Sequence, residues 1–189
     1  RRIFDNQVGI FAAFLFTIWP SRLLCAGLAS KENLTVAMIV SGSTFCIAAF
    51  ESMGRRSWFF AAGAGLSFGL AALTQPGLLL LVAAIPLIYR KAFLCRPGQF
   101  VARSAVVIVF AVISLLPWHI RNCMVFDSQF CGVATNGGSV FYRANNPKAT
   151  GLWIEEGDVP ISHLPELTQN QIGFELGKQW IRDNPHEFL

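Results

Sequence analysis

Residues 57–89 read SWFFAAGAGLSFGLAALTQPGLLLLVAAIPLIY, a run of 33 positions without one charged side chain. A helix crosses a hydrocarbon core of about 30 Å with roughly 20 predominantly apolar residues, so a single helix here would overshoot. The interruption is Thr74-Gln75-Pro76-Gly77. Proline has no N–H for the helix ladder and biases the residue before it away from the helical region. The run therefore predicts two short helices joined at Gln75-Pro76. Arg55 and Arg56 precede it, and Arg90, Lys91, Arg96 and Arg103 follow it. Basic residues collect on the cytoplasmic side of membrane spans, so both ends belong inside and an even number of crossings lies between them.

The pattern repeats outward. Val8 to Leu28 is apolar apart from Arg22, which follows a Trp19-Pro20-Ser21 break, and neither Asn33–Phe50 nor Ser104–Ile120 carries a charge. Alternating the sides puts Arg1 and Arg2 inside, Lys31-Glu32 outside, Arg55-Arg56 inside, Gln75-Pro76-Gly77 outside and the Arg90–Arg103 loop inside. The last helix exits near Pro117-Trp118. Residues 1–120 are thus expected to form about five transmembrane crossings, and residues 121–189 an external segment.

Composition agrees. The chain of 189 residues is 53% hydrophobic and 14% charged, where soluble domains carry about 25% charge. Residues 1–120 hold ten Lys/Arg against three Asp/Glu, and residues 121–189 hold five against eight. This excludes a disordered chain, a collagen-like chain and a compact cytosolic enzyme with one core. The pI of about 9.0 does not indicate a nucleic-acid partner, because the basic residues punctuate apolar runs and form no continuous patch. The first span has no small-residue cleavage site followed by a soluble domain and is not a signal peptide. A start at Arg1 and a stop at Glu187-Phe188-Leu189, where another apolar segment would begin, lead us to expect a piece of a larger polytopic protein.

Beyond Arg121, short apolar stretches alternate with turn residues. Asn136-Gly137-Gly138 between Gln129–Ala134 and Ser139–Tyr142 predicts a small hairpin. Asn145-Asn146-Pro147 and Thr150-Gly151 are loop punctuation. Ile172, Leu176 and Trp180 recur every four residues, which predicts one amphipathic helix over 167–182 ending before Asn184-Pro185. The fold expected is an all-α polytopic membrane protein with a small external α+β segment.

Chemistry-bearing motifs are sparse. There is no phosphate-binding glycine loop with Lys-Ser/Thr, no HExxH and no CxxC, and the five cysteines have no metal spacing. Cys123 and Cys131 both fall outside and are able to pair in an oxidising compartment, although two unpaired thiols is the favoured reading because nothing else fixes their geometry. Gly65-Leu66-Ser67-Phe68-Gly69 is a small-xxx-small pattern and reads as helix packing. Glu32 opens a span; its carboxylate suits a base or a cation ligand, but a solvated helix N-terminus is the plainer account. Arg121, behind Pro117-Trp118-His119-Ile120, suits bidentate phosphate binding or anchorage of the helix end. No partner for His119 is evident.

The order of these motifs carries a resemblance. Leu116-Pro117-Trp118-His119-Ile120-Arg121-Asn122 with Val125-Phe126, then Thr135-Asn136-Gly137-Gly138, then Asn145-Asn146-Pro147-Lys148-Ala149-Thr150-Gly151, resembles the "PW-x-x-RN-x-x-x-F-G", "TNGG" and "GNNP-x-ATG" motifs of family 39 membrane glycosyltransferases. These are relatives of dolichyl-phosphate-mannose protein mannosyltransferases and lipid A aminoarabinose transferases. Ala71-Ala72-Leu73-Thr74-Gln75-Pro76 is similar to that family's "aaLtRP", Lys31-Glu32-Asn33-Leu34 to its "sEtlf", and Ile181-Arg182-Asp183-Asn184-Pro185 with Phe188 to its "I-r-x-NP-x-x-F". The resemblance implies a C-type glycosyltransferase bundle in the bacterial cytoplasmic membrane. Such an enzyme moves a sugar from a polyprenyl-phosphate carrier to a protein, lipid or glycan acceptor on the outer face.

Carried over residue by residue, it implies Glu32 as an auxiliary acid or cation ligand and Arg121 and Gln75 as contacts to the donor phosphate. It makes Asn122, Asn136, Gly137, Asn145 and Asn146 acceptor-side loop residues, for which turn formation is the plainer account. The main catalytic acid of the family falls upstream of Arg1. A lipid-linked sugar is then the co-substrate, and a divalent cation is left open as a cofactor. Three positions depart from the pattern: Gln75 replaces a basic residue, Ala144 a glycine, and Asp127 the glycine after Phe126. The alternative is a non-catalytic transporter or scaffold that keeps the fold.

Overall fold

The computed structural model describes residues 5–20, 23, 31–89, 94–150 and 160–188. Arg1, Arg2, Arg22, Arg90, Lys91 and Gly151, used above for topology and loop punctuation, lie outside the described residues. The chain divides into two compact units, residues 1–117 and 118–189.

In the first unit, helix α1 (Asn6–Ile18) starts at Asp5, whose carboxylate accepts the Val8 N–H at 2.8 Å, and it stops at extended Trp19. None of its residues is buried. Helices α2 (Lys31–Glu51) and α3 (Arg55–Thr74) form an antiparallel hairpin. The chain reverses at Gly54, whose φ of 74° is open chiefly to glycine. The register is set by small residues receiving large ones: Phe45 lies against Gly63, and Phe68 against Gly42. At the far end the hydroxyls of Thr35 and Thr74 are hydrogen-bonded at 2.6 Å.

Helix α3 stops at the expected break. Gln75 is extended, and Pro76–Leu78 make one 3-10 turn. The second half of the run is not the single helix expected but two short pieces, α4 (Leu79–Ala83) and α5 (Ile85–Ile88). Pro86 has no N–H to continue α4, which divides the segment at Ala84. Ile85 nevertheless reaches the core formed by Cys46, Ala49, Ala61 and Phe100, and Tyr89 stacks on Phe50 with ring centroids 4.8 Å apart. The segment therefore travels from the Thr35–Thr74 end of the hairpin back to the Phe50 end.

Helix α6 (Pro97–Val125) then runs parallel to α3, with Gly65 against Val107–Ala111 and Gly69 against Ala111–Ser114. The small-xxx-small pattern is thus a packing face. A parallel pair requires a returning chain between its members, and the segment from Pro76 to Tyr89 is that chain.

Two boundaries are corrected. Helix α6 begins at Pro97 rather than Ser104, and it continues through Pro117 to Val125. Proline deletes one rung of the ladder without ending a helix whose flanking turns are intact. Arg103, expected in an inside loop, is consequently helical and 9% exposed. Its Nη1 donates to the Ala49 carbonyl at 3.0 Å. Ala49 lies in the last turn of α2, where carbonyls lack intrahelical donors, so the guanidinium satisfies that helix end.

Helices α2, α3 and α6 are long and apolar enough to cross a membrane. Large apolar side chains such as Ile10, Phe59 and Leu80 are more than 70% exposed, an arrangement suited to hydrocarbon rather than water. The protein is an all-α membrane protein.

The second unit holds the last turns of α6 with α7 (Gly137–Ala144), α8 (Glu166–Asp183) and α9 (Pro185–Phe188). No strand occurs among the described residues, and the expected hairpin is corrected accordingly. Ser139–Tyr142 is helical, and neither Gly137 nor Gly138 has the positive φ that a tight hairpin turn demands. Gly138 is instead a point of close approach: a Cβ there would meet the Asn170 carbonyl of α8. Gly173 and Gly177 take the same role toward α7. The amphipathic helix expected over 167–182 is present as α8, which ends at Asn184.

Candidate functional site

The last turns of α6 hold a three-residue stretch of the following loop. Trp118 Nε1 donates to the Val133 carbonyl at 2.9 Å, Asn122 Nδ2 to the Gly132 carbonyl at 2.7 Å, and His119 Nδ1 is hydrogen-bonded to the Cys131 carbonyl. Cys123 and Cys131 form a disulfide, so the favoured reading of two free thiols is corrected. Positions 118 and 122, and likewise 119 and 123, lie one helical turn apart on neighbouring rows. The extension of α6 past Pro117 is what aligns them, and it brings the loop back over Cys123.

This clasp also fixes Arg121. Its Nη1 donates to Asn122 Oδ1 at 2.8 Å, and its guanidinium carbon stands 5.1 Å from the centre of the Trp118 ring. Asn122 is 3% exposed, so its amide is a rigid partner, while Arg121 itself is exposed. A guanidinium has five N–H donors in one plane. One is spent on Asn122, and the indole face restrains that plane. The result is a pre-oriented donor fork of the kind that matches a phosphate or carboxylate.

Helix α6 ends in a defined turn. Asp127 has φ of 47°, and the Ser128 N–H reaches back to the Cys123 carbonyl at 2.7 Å. That is the six-to-one bond of a Schellman ending, whose left-handed position usually holds glycine. Asp127 thus holds a left-handed conformation that glycine adopts without strain.

The other candidate residues of the second unit make contacts within it. Asn136 precedes α7, and its carbonyl accepts the Ser139 hydroxyl at 2.9 Å. Gly137 opens the helix close to the Phe174 ring. Asn145 Nδ2 donates to Phe141 O at 2.8 Å, and Asn146 Nδ2 to Tyr142 O and Arg143 O at 2.9 and 2.8 Å. Both amides are buried and close the C-terminal carbonyls of α7. Thr135 donates its hydroxyl to Glu166 at the start of α8.

Glu32 and Gln75 belong to the first unit, where the hairpin brings them to one end. Glu32 is exposed in the first turn of α2, a position that favours a carboxylate through the helix dipole. Gln75 is exposed at the end of α3, its N–H bonded to Ala71 O. The Thr35–Thr74 hydroxyl pair between them has no signal in the sequence, because its members are 39 residues apart. Nor has the burial of Arg103, whose basic neighbours in sequence suggest a loop. Among the described residues no three His, Cys, Asp or Glu side chains gather as a metal ion would need.

Fold and site together define an all-α membrane protein with a braced arginine near the end of α6. Comparison with protein-family models, curated proteins and solved structures returns no match.

Proposed function

We propose that the chain belongs to a membrane glycosyltransferase. It would move a sugar from a polyprenyl-phosphate carrier to a protein, lipid or glycan acceptor on the outer face of a bacterial cytoplasmic membrane. The observation that carries this reading is the fixed, exposed guanidinium of Arg121 within the "PW-x-x-RN" motif. In the reaction the acceptor oxygen bonds to the anomeric carbon and the bond to the carrier phosphate breaks. A carboxylate takes the acceptor proton, and polyprenyl phosphate departs as an anion. Arg121 is assigned to the leaving phosphate, where charge develops in the transition state. The resemblance also offers Glu32 as an auxiliary acid and Gln75 as a neutral contact to the donor, both in the first unit. The Cys123–Cys131 bond supports an oxidising, outer location for the second unit.

The test is sugar transfer by the intact protein from a synthetic polyprenyl-phosphate sugar. A charge-assisted hydrogen bond contributes about 1.5–3 kcal/mol, so Arg121→Gln is expected to lower kcat/KM for the donor about 10- to 150-fold. Arg121→Lys, a point charge without the planar fork, should recover only part of that. Unchanged transfer by Arg121→Gln would remove the phosphate role. An intact protein that transfers nothing from such donors would favour the non-catalytic alternative.

A further inference from the structure

A groove of about 350 Å³ opens between the C-terminal end of α2 and the start of α6, both in the first unit. Its floor is aromatic and apolar. Phe50 stacks with Phe100 at a centroid distance of 4.9 Å, and Met53 beside them is 68% exposed. Two side chains of opposite charge line it from different elements: Glu51 at the end of α2, and Arg96 immediately before α6. Arg96 leans on Met53, with Nη1 3.8 Å from Sδ, which keeps the guanidinium beside the apolar floor. Both charged residues are exposed.

The charge pattern narrows the ligand. A simple anion would meet the Glu51 carboxylate, and a simple cation would meet Arg96. A ligand with one charge of each sign satisfies both. The depth narrows it further. The groove sits at the ends of two helices long and apolar enough to span a bilayer, which is where lipid headgroups meet a membrane protein. Its volume falls within the roughly 300–1,000 Å³ usual for small-ligand sites. Carboxylates accept hydrogen bonds, so a primary ammonium with N–H donors fits Glu51 better than a quaternary one. An arginine plane suits a phosphate, and the aromatic floor suits the glycerol and first acyl carbons.

We propose that this groove seats a phospholipid with a phosphoethanolamine headgroup, its phosphate on Arg96 and its ammonium on Glu51. The inference rests on the membrane character of the chain and stands apart from the sugar-transfer reading.

The experiment is lipid binding by the intact protein in detergent, read by native mass spectrometry. The probes are dioleoyl phosphatidylethanolamine, phosphatidylcholine, phosphatidylglycerol and free phosphoethanolamine. The ethanolamine lipid is expected to bind at least tenfold more tightly than the other two lipids and than free phosphoethanolamine. Glu51→Gln should abolish that preference and raise the share of phosphatidylglycerol. Arg96→Gln should weaken both phosphatidylethanolamine and phosphatidylglycerol at least tenfold. Arg56→Gln, at the same end but outside the groove, should change nothing. Glu51 and Arg96 are both exposed, and circular dichroism of each variant checks that the fold is kept. Equal binding of the three lipids, or a preference that survives Glu51→Gln, overturns the proposal. Free phosphoethanolamine binding as tightly as the lipid would assign the groove to a soluble zwitterion and also overturn it.

Discussion

Replacing Gly69 with alanine tests the packing of α3 on α6 most directly. In a helix interior, alanine gains about 0.8–1.0 kcal/mol over glycine from propensity alone. At Gly69 that gain meets a wall: the new Cβ would run into Ser114 Oγ and lie 2.6 Å from the Ala111 carbonyl oxygen and 3.0 Å from Ala111 Cα. Ordinary carbon contacts sit at about 3.5–4.0 Å, so the two helices would have to part by about 1 Å. Overpacking of this kind costs about 1–3 kcal/mol. Ser114 would also have to abandon its 2.8 Å bond to Ala111 O, a net loss of about 1 kcal/mol. Taking the middle of the overpacking range, the losses exceed the propensity gain by about 2 kcal/mol. Gly9, in the exposed interior of α1, has nothing within 4 Å of its would-be Cβ, so Gly9→Ala should stabilise by up to about 1 kcal/mol. The assay is reversible unfolding of the intact protein in mixed micelles with increasing dodecyl sulfate, followed by far-ultraviolet circular dichroism. The two variants should move the midpoint in opposite directions. If Gly69→Ala shifts it the same way as Gly9→Ala, the close approach of α3 and α6 is wrong.

Two further outcomes follow from the second unit. The disulfide joins residues eight apart in sequence, and closing so short a loop contributes about 2–3 kcal/mol on the chain-entropy account. Reductant should lower the unfolding midpoint of the native protein and leave a Cys123→Ser/Cys131→Ser double variant unmoved, while a native midpoint indifferent to reductant would contradict the bond. Asp127 holds a left-handed conformation that costs a side-chain-bearing residue about 1 kcal/mol, so Asp127→Gly should stabilise and Asp127→Val destabilise in the same titration.

The Pro76 break in the first unit and α8 in the second were legible because their signals are local. The missing N–H of Pro76 marks the break wherever the chain goes, and α8 shows its apolar residues at helical spacing. What failed to show were properties that belong to pairs. Asn136-Gly137-Gly138 reads as a turn from its residue types, yet Gly138 is small because Asn170, 32 residues away, lies against it. The pairing of Cys123 with Cys131 depends on a helix that continues through Pro117, where residue type alone argues for a stop. Arg103 looked like one more loop cation, and only the position of the Ala49 carbonyl makes it a buried donor. The candidate site was half legible. Arg121 could be singled out from its neighbours, whereas its bracing by Asn122 and Trp118 needed the fold. Asn145 and Asn146 were expected at turns, and they are spent on the end of α7.

The parallel arrangement of α3 and α6 bears on the order in which the protein assembles. Helices α2 and α3 are adjacent in the chain, and their hairpin can close as soon as Thr74 has emerged, since every contact it needs has already been made by then. The Gly65–Gly69 face must wait until the chain has doubled back through Pro86 and started α6, a delay of about 40 residues of synthesis measured to the Val107–Ser114 stretch it receives. During that interval the face is bare toward lipid. Small residues at four-residue spacing let any neighbouring helix approach closely, so until α6 arrives this face is the part of the hairpin most open to a wrong partner.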